Sequence, residues 1–153
     1  MIVEVAPTPK VGIKIYTVGD TLSRITLSLA TAFNFDCSSA VVREQLLPWL
    51  KNYAAKKWSV FPLPFRAPPF SQKVAIHLQT IPFGELITYQ DLAAACGSPK
   101  AARAVGNFCQ GNLFPLLIPC HRVVPKSGGR GSFTPDPRIK ERLLQFEEIN
   151  ILG

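Results

Sequence analysis

Cysteine, histidine and arginine stand side by side at Cys120, His121 and Arg122, inside the apolar run 116–124 (LLIPCHRVV). Apolar surroundings raise a thiol's pKa and leave it inert, because the charged thiolate loses its hydration. A neighbouring imidazole and nearby positive charge act the other way and stabilise the thiolate, which is the nucleophile. The segment therefore reads as a candidate nucleophilic cysteine with a base beside it. A cysteine in a hydrophobic run also reads as a small core residue, and adjacency alone leaves both readings open. Zinc would need Cys96, Cys109, Cys120 and His121, whose gaps match no common finger, and adjacent side chains rarely reach one tetrahedral ion. No metal is expected. Glu147 lies on or beside the apolar stripe of the last predicted helix. It is either a rim carboxylate facing water or a buried acid held by a hydrogen-bond partner.

The elements that must position these residues are legible in outline. Residues 11–16 alternate apolar and polar, Gly19-Asp20 is a turn signal and residues 25–30 alternate again, which predicts a hairpin or small antiparallel sheet. Between 39 and 57 the apolar positions recur at helical spacing with Pro48 interrupting, so one broken helix or two short ones are expected. The run 61–70 (FPLPFRAPPF) carries four prolines and suits an extended connector, and the domain boundary is placed here. Residues 72–78 have helical periodicity. Thr88 to Asp91 has capping-box spacing, an alanine-rich helix follows to Cys96, and Gly97 sits where a C-terminal cap belongs. Ser98 as cap and Pro99 as first helical residue restart a helix with core face Ala101, Ala104, Val105 and Phe108, ending at Gly111; the pair reads as a helix-turn-helix. On the outer face of its second helix Ala102 and Gly106 leave almost no side chain, while Lys100 and Arg103 are the only long projections. Such a face either meets another molecule's backbone closely or packs against a neighbouring element of its own chain. The last helix opens at Asp136-Pro137, with Ile139, Leu143 and Phe146 as its stripe.

The 153 residues suffice for one ordinary domain or two small ones with a shared boundary. With 47% hydrophobic and 18% charged residues the chain lies far from the disordered class. Seventeen Lys and Arg against ten Asp and Glu leave a net charge of +7, which favours polyanionic partners. No stretch approaches the roughly 18 apolar residues of a membrane span, and the start MIVEVAPTPK lacks a signal peptide's apolar core. A soluble, cytoplasmic protein with reduced cysteines is expected.

Residues 118–124 (IPCHRVV) resemble the signature of the O6-alkylguanine-DNA alkyltransferases, the methylated-DNA–protein-cysteine methyltransferases. The resemblance extends in family order and spacing over 70–74 (FSQKV), 81–84 (IPFG), Thr88-Tyr89, 99–106 (PKAARAVG), Asn112, Pro115 and the Lys140, Leu143, Leu144, Glu147 pattern. It covers about half of the chain closely, from Phe70 onward. It implies an α/β protein in which a small amino-terminal ribonuclease-H-like α/β domain, residues 1–65, precedes a mostly helical, winged-helix-like helix-turn-helix alkyltransferase domain, residues 66–153.

Carried over residue by residue, the resemblance makes Cys120 the acceptor of an alkyl group from O6 of guanine in double-stranded DNA. His121 would remove its proton through a water, and Glu147 would orient and charge-balance His121. Asn112 would brace the chain, Tyr89 would donate to guanine N3, the carbonyls of Cys120 and Val123 would accept from the exocyclic amine, and the Thr134 amide would meet O6. Arg103 would fill the stack vacated by the flipped base, with Lys100, Ala102, Gly106 and Gln90 at the minor groove. A monomer with neither metal nor cofactor is implied, and no membrane partner. The sequence departs from the family at Phe133-Thr134-Pro135-Asp136, where an aromatic-x-Gly-Gly loop is usual, at Ala75 in place of a tryptophan, and at Leu113-Phe114. The competing reading is a non-catalytic alkyltransferase-like lesion-binding module, against which Cys120 argues. A plain helix-turn-helix regulator would carry base-reading side chains where this helix has Ala and Gly.

Overall fold

The structure is a computed structural model and describes residues 8–63 and 66–149. The first seven residues of the amino-terminal decapeptide, and residues 64 and 65 at the placed domain boundary, lie outside the described residues. The fold is mixed α/β.

The predicted hairpin is present as β1 (Val11–Val18) and β2 (Thr21–Leu29), with Ile13 opposite Leu27 and Ile15 opposite Ile25, all four buried. A third strand, β3 (Asn34–Cys37), pairs parallel to β1 and gives the order β2-β1-β3. The sheet is thus not purely antiparallel as expected. Three of the four β3 residues are exposed, so the strand carries no apolar alternation to announce it. Gly12 is where the three strands crowd: a Cβ there would lie 2.8 Å from Ser28 Oγ and 2.9 Å from Asn34 Oδ1.

Helix α1 (Ala40–Ala54) is capped by Ser39, whose hydroxyl accepts from Val42 N at 3.2 Å. It runs unbroken through Pro48, contrary to the expected interruption. An internal proline removes one helical hydrogen bond and costs about 3 kcal/mol. Burying Leu46, Trp49, Leu50 and Tyr53 around it contributes roughly 1.5–3 kcal/mol for each large side chain, and packing overrides the local break. Helix α2 (Pro69–Thr80) buries Val74, Ala75 and Leu78.

Strand β4 (Ile87–Thr88) leads into α3 (Tyr89–Ala95), where Thr88 Oγ1 accepts from Asp91 N at 3.1 Å, and α4 (Ala102–Gln110) packs against it. The turn between them passes through Gly97 at φ +84°, a left-handed conformation that glycine adopts without penalty. Helix α4 starts later than Ser98-Pro99 predicted. Ser98 N bonds back to Ala93 O and Ala101 N to Ser98 O, so residues 98–101 close a turn, and Ala101 is the cap without a side-chain bond. Ala104 is exposed, so the core face is Ala101, Val105 and Phe108.

Strand β5 (Val123–Val124) pairs parallel with β4. Helix α5 (Pro137–Phe146) is capped by Asp136, which accepts from Arg138 N at 2.9 Å. It packs on β1, β2 and the residues preceding β5, and Arg142 donates to the carbonyls of Lys10 and Ala30. One continuous apolar cluster runs from Val11 through Tyr53 and Leu92 to Phe146. No helix among the described residues is long and apolar enough to cross a membrane.

Candidate active site

The apolar run around Cys120 is not a strand until Val123. Pro119 has no N–H to give a ladder, and Cys120–Arg122 form a single 3-10 turn, with Cys120 N bonded to Ile118 O and Arg122 N to Pro119 O. At three residues per turn the first side chain is directed away from the two that follow it. Cys120 reaches the wall of a cavity, while His121 and Arg122 turn inward to Glu147. Asn112, just past the end of α4, ties the turn down: its Nδ2 donates to Ile118 O at 2.9 Å and to Cys120 Sγ at 3.2 Å, and its Oδ1 accepts from Phe114 N.

Glu147, directly after α5, is buried and accepts from four donors. Oε1 takes Arg122 Nε at 2.8 Å and Gly84 N at 3.2 Å; Oε2 takes His121 Nε2 at 2.5 Å and the Tyr53 hydroxyl at 2.6 Å. Of the two readings of this carboxylate, the buried one holds. Burial alone would push its carboxyl up, but His121 and the Arg122 guanidinium hold it well below the usual carboxylate range. An ionised Glu147 puts the imidazole proton on Nε2. His121 Nδ1 is then a buried lone pair with no protein partner, and burial keeps the imidazole below its ordinary value and neutral.

Cys120 rests as a thiol. Burial, followed by the neighbouring Cys109, raises its pKa well above the usual value, against the smaller opposing effects of Asn112 and Lys140. Of the two opposing effects weighed at this thiol, burial is the larger, and Arg122 is committed elsewhere. Its guanidinium pairs with Glu147, donates to Ile81 O and lies 3.9 Å from the centroid of the Trp58 ring. The cation that does act on the thiol is Lys140, fully buried, with its pKa lowered to about 8 by burial. Its Nζ donates to Val123 O at 2.6 Å, so that carbonyl has one lone pair left for another donor.

The cavity is about 430 Å³. On one side stand Tyr89 at the start of α3 and, from α4, Ala102, Arg103, Gly106, Asn107, Cys109 and Gln110; on the other are Phe133 and Thr134. Tyr89 is half-buried, and burial followed by the two cysteines raises its hydroxyl to about 12, so it stays protonated and able to donate. A Cβ on Gly106 would meet nothing within 4 Å, so the smallness of this face does not serve packing within the described chain. Lys100 is exposed in the turn before α4 and does not line the cavity, and Gln90 faces an adjoining shallow groove with Lys126. Lys100 and Arg103 are therefore not the helix's only long projections, since Asn107 and Gln110 project from the cavity face too.

Four residues of the site carry no assigned role in the sequence reading, although Cys109 and Lys140 are named in it. Cys109 was signalled, since it follows Ala102 and Gly106 on one helical face. Lys140 also had a signal, being spaced from Glu147 by two helical turns. Tyr53, 94 residues from Glu147, and Trp58 had none.

Residues 69–149 match the family model described as 6-O-methylguanine DNA methyltransferase, DNA binding domain. The chain is 43% identical over 112 residues to the human methylated-DNA–protein-cysteine methyltransferase, covering 67% of this chain and 54% of that one. It is 45% identical over 107 residues to the constitutive methylated-DNA–protein-cysteine methyltransferase of Bacillus subtilis, covering 66% and 63%. The matched region thus spans a little over half of the length of these relatives. Among solved structures, Mycobacterium tuberculosis OGT in complex with DNA superposes with a TM-score of 0.71 at 25% identity, covering 90% of this chain and 93% of that one.

Proposed function

Since the chain belongs to the 6-O-methylguanine DNA methyltransferase family, we propose that it repairs double-stranded DNA by moving an alkyl group from O6 of guanine onto Cys120, once and irreversibly. His121 Nδ1 takes the Cys120 proton through a water. The thiolate sulfur then bonds the alkyl carbon as the carbon–O6 bond breaks, and the electron pair leaves on the guanine. Tyr89 donates to guanine N3 and the Thr134 amide to O6, so the base departs without bearing a full negative charge. The carbonyls of Cys120 and Val123 accept from the exocyclic amine. Asn112 holds the turn, and Glu147 fixes the tautomer of His121.

The carrying observation is the arrangement around one sulfur. Cys120 lines the cavity, its neighbour His121 has an unpartnered Nδ1, and the other imidazole nitrogen is bound to a buried carboxylate. Helices α3 and α4 act as a helix-turn-helix in the minor groove, a part supported by the open space at Gly106 and by the exposed Arg103, which takes the flipped base's place in the stack. Phosphate contacts from Lys100, Gln90 and the net charge of +7 make binding nearly independent of sequence. The strand order β2-β1-β3 supports a ribonuclease-H-like reading of the amino-terminal part, with the division from the DNA-binding part near residue 65. The protein acts as a cytoplasmic monomer without metal or cofactor. Incubation with a methyl-labelled duplex tests the reading: label saturates at one per chain, on the peptide carrying Cys120. Repeated turnover, or label on Cys37, Cys96 or Cys109, refutes it.

A further inference from the structure

One buried contact that this chemistry leaves unused joins α1 to the carboxylate. Tyr53 is 0% exposed, and its hydroxyl donates to the same oxygen of Glu147 that binds His121 Nε2. Its ring is held by Trp49 stacked at 5.8 Å, and by Phe83 and Phe146 edge-on at 5.5 and 5.4 Å, which fixes the direction of the hydroxyl. It lies outside the segment 69–149 that carries the family match. We infer that Tyr53 is a positioning residue for the base, holding Glu147 Oε2 and drawing its charge away from His121 so that the imidazole stays neutral with Nδ1 open to a proton. The inference rests on the roles proposed above for Cys120 and His121.

The sign follows from the shared oxygen. Burial, then Glu147, push the Tyr53 phenol well above its ordinary value, so it is a donor throughout the working range. The charged groups facing the pair are Arg122, on Oε1, and Lys140, from α5. Both oppose a proton on His121, burial opposes it more strongly, and Glu147 favours it. Without the hydroxyl, more of the carboxylate's charge is available to an imidazolium, and His121 becomes easier to protonate.

The test uses the full chain. In Tyr53→Phe the ring is kept, and the titration of His121 is followed by NMR with His77 of α2, the only other histidine, as an internal control. His121 is expected to titrate about one pH unit higher, the size of a hydrogen bond to a charged group, with His77 unmoved. The acidic limb of the pH–rate profile for labelling Cys120 moves up with it. 3-Fluorotyrosine placed at position 53, a stronger donor in the same ring, moves His121 the other way and guards against a packing fault in the phenylalanine variant. An unshifted His121 in both proteins, with any rate loss equal at every pH, reduces Tyr53 to a packing residue and overturns the inference. If the parent protein does not label Cys120 at all, the proposed function fails, while the His121 shift still decides whether Tyr53 tunes the imidazole.

Discussion

Replacing Glu147 with glutamine changes one atom in shape and inverts the hydrogen-bond logic of the site. The four groups around the carboxylate all donate to it, two to each oxygen. Whichever way the amide is turned, its NH2 faces two donors. On the Arg122 and Gly84 side neither partner can accept, so the NH2 goes to the Tyr53 and His121 side. There the phenol can rotate to accept, and the imidazole can accept at Nε2 only by moving its proton to Nδ1. That tautomer has no lone pair at Nδ1 to take a proton. Two effects follow, of separate origin. Leaving the fully buried Arg122 without its counter-charge costs about 3–5 kcal/mol, against a total stability of about 5–15 kcal/mol for a domain of this kind. Losing the base slows alkyl transfer by about 10²–10⁴-fold. Urea denaturation measures the first, and the single-turnover rate of labelling Cys120, at a temperature where the variant is folded, measures the second. A stability loss under about 1 kcal/mol, the value of a solvent-exposed ion pair, with a rate near the parent's, would show that the buried network does neither job.

Three further outcomes are expected. Arg103→Ala slows repair of alkylated duplex at least about tenfold more than reaction with the free alkylguanine base, for which no gap in a stack needs filling; equal slowing on both substrates returns Arg103 to a surface charge. The lip of the cavity is stiffened by the Pro135 ring and by Asp136, anchored to Arg138 at the start of α5, so O6-methylguanine should react readily and O6-benzylguanine poorly, with Pro135→Gly, Asp136→Gly together restoring the larger substrate. Faster inactivation of the parent by the benzyl compound refutes this. Stability should fall on acidification in two stages: His121, with a lowered folded pKa, contributes stability that is lost as pH drops below its ordinary 6.5, and Glu147 contributes stability present above 4.5 and lost below it. Denaturation midpoints between pH 7 and 3 check this, and the lower stage is smaller in Glu147→Gln, where Asp136, held low by Arg138, still contributes.

Features set by neighbours along the chain were legible from sequence. Thr88 and Asp136 cap the helices they were expected to cap, and β1 and β2 pair as the alternation required, because a cap's or hairpin's partners lie within a few residues and the alternatives are few. The candidates Cys120, His121 and Glu147 stood out by residue type and spacing, and Asn112 by the resemblance alone; in the structure Asn112 meets Cys120 and His121 meets Glu147. Local signals failed where distant packing outweighed them: Pro48 does not break α1, and Ser98-Pro99 closes a turn instead of starting a helix. Only the tertiary structure decided how the candidates are charged. Whether Cys120 rests as a thiol, and which cation acts on it, depends on how deeply it is buried and on Cys109 and Lys140, not on the residues beside it. Arg122, read as the thiolate's companion, instead pairs with Glu147 and stacks on Trp58, and Tyr53 completes the carboxylate from 94 residues away. Hydrogen bonds and charge interactions act through a few ångströms of space, and the low dielectric of a closed core enlarges them; sequence spacing measures neither distance nor burial.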